Sequence, residues 1–291
     1  MRKFFSLVLT AVAFTFAACS SNASKEEADN QEPVLMNVAS FNIRMDTPND
    51  GENAWPHRKE LAKALIRFHD FDIFGVQEAF RSQLDDLCEL TQYACIGEGR
   101  DGNDQGEHSA ILYKKDRFDL LEHGDFWFSE TPDRVGLGWD ATCCNRICSW
   151  GKFRDKKSGK EFFFFNSHFD HQGVVARRES AKLLLAKMKE LAGNFPAFAV
   201  GDYNATPDSE PIQILQSDGL LKNSYDVSEL PPYGTVGTYH GFQKDAKALN
   251  RIDHIFVAGN IRVLKYGTLN EMPNGQFPSD HFPIMIVAAI Q

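Results

Sequence analysis

Nowhere does the chain offer the roughly 20 consecutive apolar residues that a membrane-spanning helix needs. Its longest apolar stretch, Phe4 to Ala18, is shorter and is broken by Ser6, Thr10 and Thr15. Basic charge is also scarce: 31 Lys and Arg stand against 40 Asp and Glu, a formal net charge of −9. Loss of Arg2 and Lys3 with a leader peptide would make it −11 (−9 minus 2). Long duplex DNA is not favoured as a partner by that balance, because phosphate-dominated binding rests on a basic footprint. Cysteine is sparse, with six in all. Setting Cys19 aside leaves Cys88, Cys95, Cys143, Cys144 and Cys148, an odd number, so at least one free thiol is expected. No His/Cys pair stands near Cys143, Cys144 and Cys148 at zinc spacing. That disfavours a metal cluster and leaves buried thiols or one local disulfide. Internal repeats, low-complexity cores and a second linker are missing too, so the body reads as one large domain.

What stands at the start is a leader-like pattern. Arg2 and Lys3, the short apolar core and the small residues Ala17 and Ala18 give the layout of a signal peptide over residues 1–18. "FAACSS" resembles the bacterial lipobox, which implies lipidation of Cys19. "SSNASKEEADNQEP" then reads as a polar, flexible tether over 19–33. The expectation is an exported protein, anchored to a membrane through its N-terminal lipid only, with a monomeric domain over 34–291.

Within that domain, strands predominate. "VLMNVASFNI", "FDIFGVQEA", "SAILYKK", "FDLLEHGDFWF", "AFAVGDYN", "RIDHIFVAG", "IRVLKYGTL" and "FPIMIVAAI" are rich in β-branched and aromatic residues. "RICSWGKFRDKKSGKEFFFFNSHF" reads as a hairpin turning at Lys157, Ser158 and Gly159. Helices are expected over Pro56–His69, where Leu61, Ala64, Leu65 and Phe68 repeat at three and four. Two more are expected in "RRESAKLLLAKMKELAG", closed by Gly193, and in "EPIQILQSDG". Helices fall between some strands and not others, which fits an α+β layered domain rather than a regular βαβ wind.

Several apolar strands end in a short polar word: "SFNIR", "GVQEA", "NSHFD", "VGDYN", "RIDH" and "PSDHFP". Residues two apart in a strand face the same side, so Asp202 and Asn204 of "GDYN" are expected to point together out of a strand end. Polar strand ends from six places can converge on one site. Each word alone is weak. His168 could be a satisfied core histidine, and Asp253, set among apolar residues, could be a salt-bridge partner of Arg251 or Arg262.

In order along the chain, NI, QE, NSH, GDYN, RID and SDH resemble the endonuclease/exonuclease/phosphatase superfamily, the DNase-I-like fold. The forms "NSHFDHQG" and "RID" are nearest in look to its deadenylase/nocturnin-like branch and bacterial relatives. The resemblance covers the body from Val34 onward and implies a four-layer α/β/β/α sandwich of two mainly antiparallel or mixed sheets. It implies hydrolysis of a phosphate ester by in-line attack of water, aided by magnesium or manganese. Asn42 and Glu78 would then be metal ligands, with Asp280 a further carboxylate beside them. Asp202 would orient or deprotonate the water, and Asn204 would donate to the phosphoryl oxygens. His168 would grip phosphate or protonate the leaving group, and Asp253 would partner His281. Family members are read with either Asp202 or His281 as the base, and both stay open here.

Beyond that set, Arg146 could clamp phosphate and Trp139 could stack on a ring. Tyr239 and His240 could form a substrate edge, with Asp170 and His171 expected at the rim. An inactive binding lipoprotein on the same fold is the competing reading, disfavoured because every matched motif position keeps its residue. Among enzymes the phosphodiesterase or nuclease type leads, and nucleic-acid, nucleotide, phospholipid head-group and inositol-phosphate substrates are all left open.

Overall fold

The computed structural model describes Met1 and residues 33–245 and 250–291. The rest of the expected leader, Cys19 and the tether up to residue 32 lie outside the described residues. The body, Pro33–Gln291, is one compact unit. Its strands are β1 (Val34–Asn42), β2 (Ile73–Gln77), β3 (Tyr93–Ile96), β4 (Ile111–Lys114), β5 (Phe118–Trp127) and β6 (Ile147–Asp155). There follow β7 (Glu161–His168), β8 (Ala197–Asp202), β9 (Lys222–Asn223), β10 (Asp253–Ala258), β11 (Ile261–Thr268) and β12 (Ile284–Ile290). They form two six-stranded sheets, ordered β11-β12-β1-β2-β4-β3 and β5-β6-β7-β8-β10-β9. Both are mixed: β1 with β2 and β7 with β8 run parallel, and the other pairs are antiparallel.

Strand alternation explains the layering. On β7, Phe162 and Phe164 enter a central core with Met36, Val38, Ile73, Phe198, Val200, Ile255 and Ile286. Phe163 and Phe165 point the other way, into a core shared with Ala181, Leu184 and Met188 of α3 (Val174–Ala192) and Ile212 and Leu215 of α4 (Glu210–Gln216). The first sheet repeats the arrangement. Ala39, Phe41, Phe74 and Val76 pack on Ala62, Leu65 and Ile66 of α1 (Trp55–Phe68) and on Leu84 and Leu87 of α2 (Arg81–Cys88). The result is helix, sheet, sheet, helix.

The same alternation places the polar strand ends. Val34, Met36, Val38, Ser40 and Asn42 share one face of β1, and that face is the central one. His168, Asp202 and Asp253 sit at the ends of the corresponding rows of β7, β8 and β10. Register brings these ends together, with His168 opposite Asp202 and Asp202 opposite Asp253. Below them the sheets are bridged by polar contacts. Gln77 Nε2 donates to Asn166 Oδ1 at 2.6 Å, and Asn166 Nδ2 donates to Val76 O and Ala110 O at 2.9 and 2.8 Å. Gly75 makes room for this bridge; a Cβ there would lie 2.4 Å from Asn166 Cγ.

Four elements depart from the sequence expectation. Strands β3 and β9, of four and two residues, are too short to show a pattern, and for helix α2 "RSQLDDLC" offers only Leu84 and Leu87 as an apolar face. Helix α3 starts at Val174, ahead of Arg177, because the Asp140 carboxylate accepts from Val175 N and Ala176 N at 3.0 and 2.6 Å. A cap supplied from so far along the chain leaves no local trace. Cys143 and Cys144 form a vicinal disulfide, and Cys88, Cys95 and Cys148 are free thiols. Among the described residues, no helix is long and apolar enough to cross a membrane.

Candidate active site

A cavity of 610 Å³ opens where the central rows end, and Glu78, His168, Asp202, Asn204, Asp280 and His281 line it. Asn42 and Asp253 lie immediately behind, buried. Arg44, Glu78 and Asn204 take positive φ angles of 56°, 61° and 47°. Such backbone is unfavourable for side-chain-bearing residues and persists where surrounding structure over-determines it. Here it turns side chains inward directly after β1, β2 and β8.

One connected polar chain crosses the floor. Asp253 Oδ2 meets His281 Nδ1 at 2.8 Å, and His281 Nε2 lies 3.8 Å from Asp202 Oδ2. The same Asp202 oxygen accepts from Asn42 Nδ2 at 3.0 Å, and that amide also donates to Glu78 Oε1 at 3.0 Å. Asp202 Oδ1 accepts from Asn204 N at 2.9 Å. Asn204 Nδ2 donates to Phe169 O at 3.1 Å and lies 3.2 Å from His168 Nε2. Asp253 is therefore the partner of His281. Its alternative partners are engaged elsewhere: Arg262 bonds Glu229 at 2.7 Å, and Arg251 lies 3.8 Å from Asp226.

Burial without balancing charge sets the titration of this group. Desolvation, then the neighbouring Asp253 charge, push the Asp202 carboxyl up to about 7. Desolvation also raises Asp280, against the pull of His281. Burial opposes an imidazolium at His281, but the charge and hydrogen bond of Asp253, with Asp202 and Asp280, raise its pKa well above the ordinary histidine value. His168 shifts the opposite way, held neutral by burial and by Arg146.

This donor set fits a hard divalent cation. Glu78, Asp202 and His281 each present a ligand atom within 4.8 Å of the others. His281 is the weakest donor of the three, since Nδ1 is taken by Asp253 and protonation occupies Nε2. Carboxylate oxygens remain, crowded and desolvated, with Arg44 3.6 Å from Glu78 and 3.9 Å from Asp280. Extra positive charge would relieve that crowding. Asn42 turns its amide nitrogen toward the carboxylates, while its oxygen accepts from Arg44 N at 3.0 Å. A half-turn of that amide would present the oxygen instead.

Of the remaining candidates, Arg146 and Tyr239 line the cavity. Arg146 is buried, its Nη2 2.7 Å from His171 Nδ1 and its Nε 3.5 Å from Asp170. Asp170 is buried beneath the rim, and His171 is on it. The Tyr239 ring lies 5.0 Å from that of His281. Trp139 and His240 are not in the wall. Trp139, at a positive φ of 50°, packs against the core under α3. His240 is sandwiched between Phe277 and Phe282 at 4.0 and 4.3 Å, and burial lowers its pKa to about 4. The expectations of Trp139 as a ring-stacking residue and of His240 at a substrate edge are corrected, since neither lines the cavity.

Several wall and support residues stand outside the candidate set, although Arg44 closes the word "SFNIR". Arg44 and Arg100 line the cavity, as does Glu107, which bonds Arg100 at 2.7 Å. Arg58 is fully buried and donates to Ile43 O, to Arg44 O at 2.7 Å and to Pro278 O at 3.1 Å. It ties the end of β1 to the segment carrying Asp280 and His281. Burial pulls its pKa down to about 10, which leaves it charged at neutral pH.

Residues 39–281 match the Endonuclease/Exonuclease/phosphatase family. A solved endonuclease/exonuclease/phosphatase family protein from Bacteroides thetaiotaomicron is 42% identical, with a TM-score of 0.86 over 90% of this chain and 100% of that one. The mannosyl-6-phosphatase of Bacteroides thetaiotaomicron VPI-5482 is 43% identical, with a TM-score of 0.83 over 87% of this chain and 99% of that one. Nocturnin from Drosophila melanogaster is 24% identical in an alignment 279 positions long that covers 79% of this chain but only 41% of that protein.

Proposed function

The chain belongs to the endonuclease/exonuclease/phosphatase family and is a phosphoester hydrolase, and from that premise we propose that it removes a phosphate group from a phosphorylated sugar with the aid of a bound magnesium ion. One observation carries the reading. A single cavity sets the crowded carboxylates Glu78, Asp202 and Asp280 beside the donors Arg146, Arg100 and Asn204. The first group suits a divalent cation and an attacking water; the second suits a phosphate. The sugar is supported by the 43% identity to a mannosyl-6-phosphatase over nearly its whole length. The nuclease reading has less behind it, since Nocturnin matches at 24%.

In this reading Glu78 and Asp280, with Asn42 once its amide is turned, hold the ion. When bound, the ion supplies Lewis-acid polarisation of a phosphoryl oxygen. Asp202 accepts the proton of the attacking water as the water oxygen bonds phosphorus; the P–O bond to the sugar breaks on the opposite side, and the sugar oxygen takes a proton from solvent. Burial and the neighbouring Asp253 charge strengthen Asp202 as a base. Asp253 keeps His281 protonated and correctly oriented, so that Nε2–H faces the reaction centre as a donor rather than a base. Arg146 receives the phosphoryl oxygens, joined by Asn204 and neutral His168 once a phosphate replaces their mutual contact, where negative charge grows in the transition state.

The test is a panel of phosphoesters with magnesium: mannose 6-phosphate, inositol phosphates, phospholipid head groups and short oligonucleotides. The reading expects phosphate release from the sugar in preference to the others. Cleavage of oligonucleotides alone would overturn the sugar assignment.

We also infer export and lipid anchoring, supported by Arg2, Lys3 and the "FAACSS" pattern ending at Cys19. Mass spectrometry of the mature protein should find a diacylglyceryl group on Cys19. An unmodified N-terminus elsewhere would leave a plain secreted protein.

A further inference from the structure

A second cavity of 420 Å³ adjoins the first and shares Asn204 and Ile252 with it. That volume lies inside the roughly 300–1,000 Å³ range of small-molecule sites. A molecule whose phosphate rests against Asn204 can therefore extend into it without leaving the surface. The further wall includes the polar residues Arg177 of α3, Thr206 and Ser209 in the turn after β8, and Glu210 of α4, beside the apolar Val174 and Pro211.

The chemistry of that wall selects a class of occupant. Thr206 Oγ1 donates to Asp208 at 2.6 Å and Ser209 Oγ donates to Thr206 O at 2.6 Å. Each hydroxyl thus spends its one hydrogen on the protein and keeps lone pairs for an incoming O–H. Arg177 gives one N–H to Asp170 O at 3.0 Å and has others to offer. Arg177 and Glu210 carry opposite charges, so this part of the wall has no net charge. A continuing polynucleotide would bring further phosphates, whose binding depends on excess positive charge. A neutral polyol needs acceptors and donors side by side, and that is what these residues supply.

We propose that the second cavity is a subsite for a neutral sugar unit joined to the phosphorylated one. The preferred substrate is then an oligosaccharide bearing a phosphate monoester rather than a free monosaccharide phosphate. This inference rests on the sugar-phosphate reading above and narrows it.

The test compares phosphate release from mannose 6-phosphate with release from a mannobiose carrying the same 6-phosphate. The subsite predicts a kcat/KM at least about tenfold higher for the disaccharide, the equivalent of one or two good hydrogen bonds. The double variant Arg177→Met with Glu210→Gln should bring that preference close to one. Glu210→Gln alone, at an exposed side chain, should reduce it in part and guards against misfolding of the double variant. Equal kcat/KM for the two substrates in the unaltered enzyme, or a preference that both variants leave in place, overturns the subsite. Hydrolysis of neither sugar overturns the sugar-phosphate reading itself and the subsite with it, an outcome distinct from equal rates.

Discussion

Asp202 carries the largest load of any single residue. It is fully enclosed, touches Asn42 and Asn204, and lies within 4 Å of both His168 and His281. Asp202→Asn keeps the shape and removes the proton acceptor. Turnover should fall by ~10²–10⁴-fold, the usual loss for an acid–base group. Glu78→Gln should instead raise the magnesium concentration needed for half-maximal activity, because one anionic ligand becomes neutral. Titration of activity against magnesium separates the two; a shared change in magnesium requirement would contradict the division of roles. These residues were legible in the sequence because each belongs to a short polar word after an apolar run. Arg58 was not. Nothing local distinguishes an arginine that will be buried among carbonyl oxygens from one that stays in solvent. Trp139 and His240 misled for a related reason: a ring beside glycine reads as a loop edge, but tertiary packing decides which way it turns.

At the scale of elements, the strands that build the site were readable from their period-two pattern, and their rows end in Asn42, His168, Asp202 and Asp253. The pairing order was not readable, since β1 lies between β12 and β2, and β8 between β7 and β10. That order depends on contacts far apart along the chain. The Gln77–Asn166 bridge shows the same thing: two buried amides, one in each sheet, meet directly below the cavity. Removing Asn166 leaves Gln77 Nε2 with Ser40 Oγ at 3.2 Å and takes a donor from Val76 O. Asn166→Ala should cost about 2 kcal/mol through these unmet polar groups and the space left behind. A urea unfolding midpoint that matches the parent protein would show that the bridge contributes nothing to joining the sheets.

For the molecule as a whole, the surplus of acidic groups coexists with three arginines in the walls of the cavity. Acid sensitivity follows from a different group. His254 is buried, with Nε2 2.9 Å from Ala205 O and Nδ1 3.1 Å from Asn223 Nδ2, an arrangement that suits the neutral ring. Burial lowers its pKa from 6.5 to about 4. Protonation therefore favours the unfolded chain. The stability contributed by the neutral ring is complete above about pH 6.5 and is lost as pH falls toward about 4. Near pH 5 the loss should reach about 2 kcal/mol. Urea midpoints at pH 7 and pH 5 measure it, and His254→Gln should flatten the difference; an equally steep variant would place the acid sensitivity elsewhere. The central claim, cation-assisted hydrolysis of a sugar phosphate at the Glu78–Asp202–Asp280 cavity, is tested most directly by phosphate release from mannose 6-phosphate by the purified protein. Chelation should abolish release, magnesium or manganese should restore it, and zinc should do so less well because the donor set is oxygen-rich. Full release in the presence of chelator, or no release with any of these cations, would contradict it.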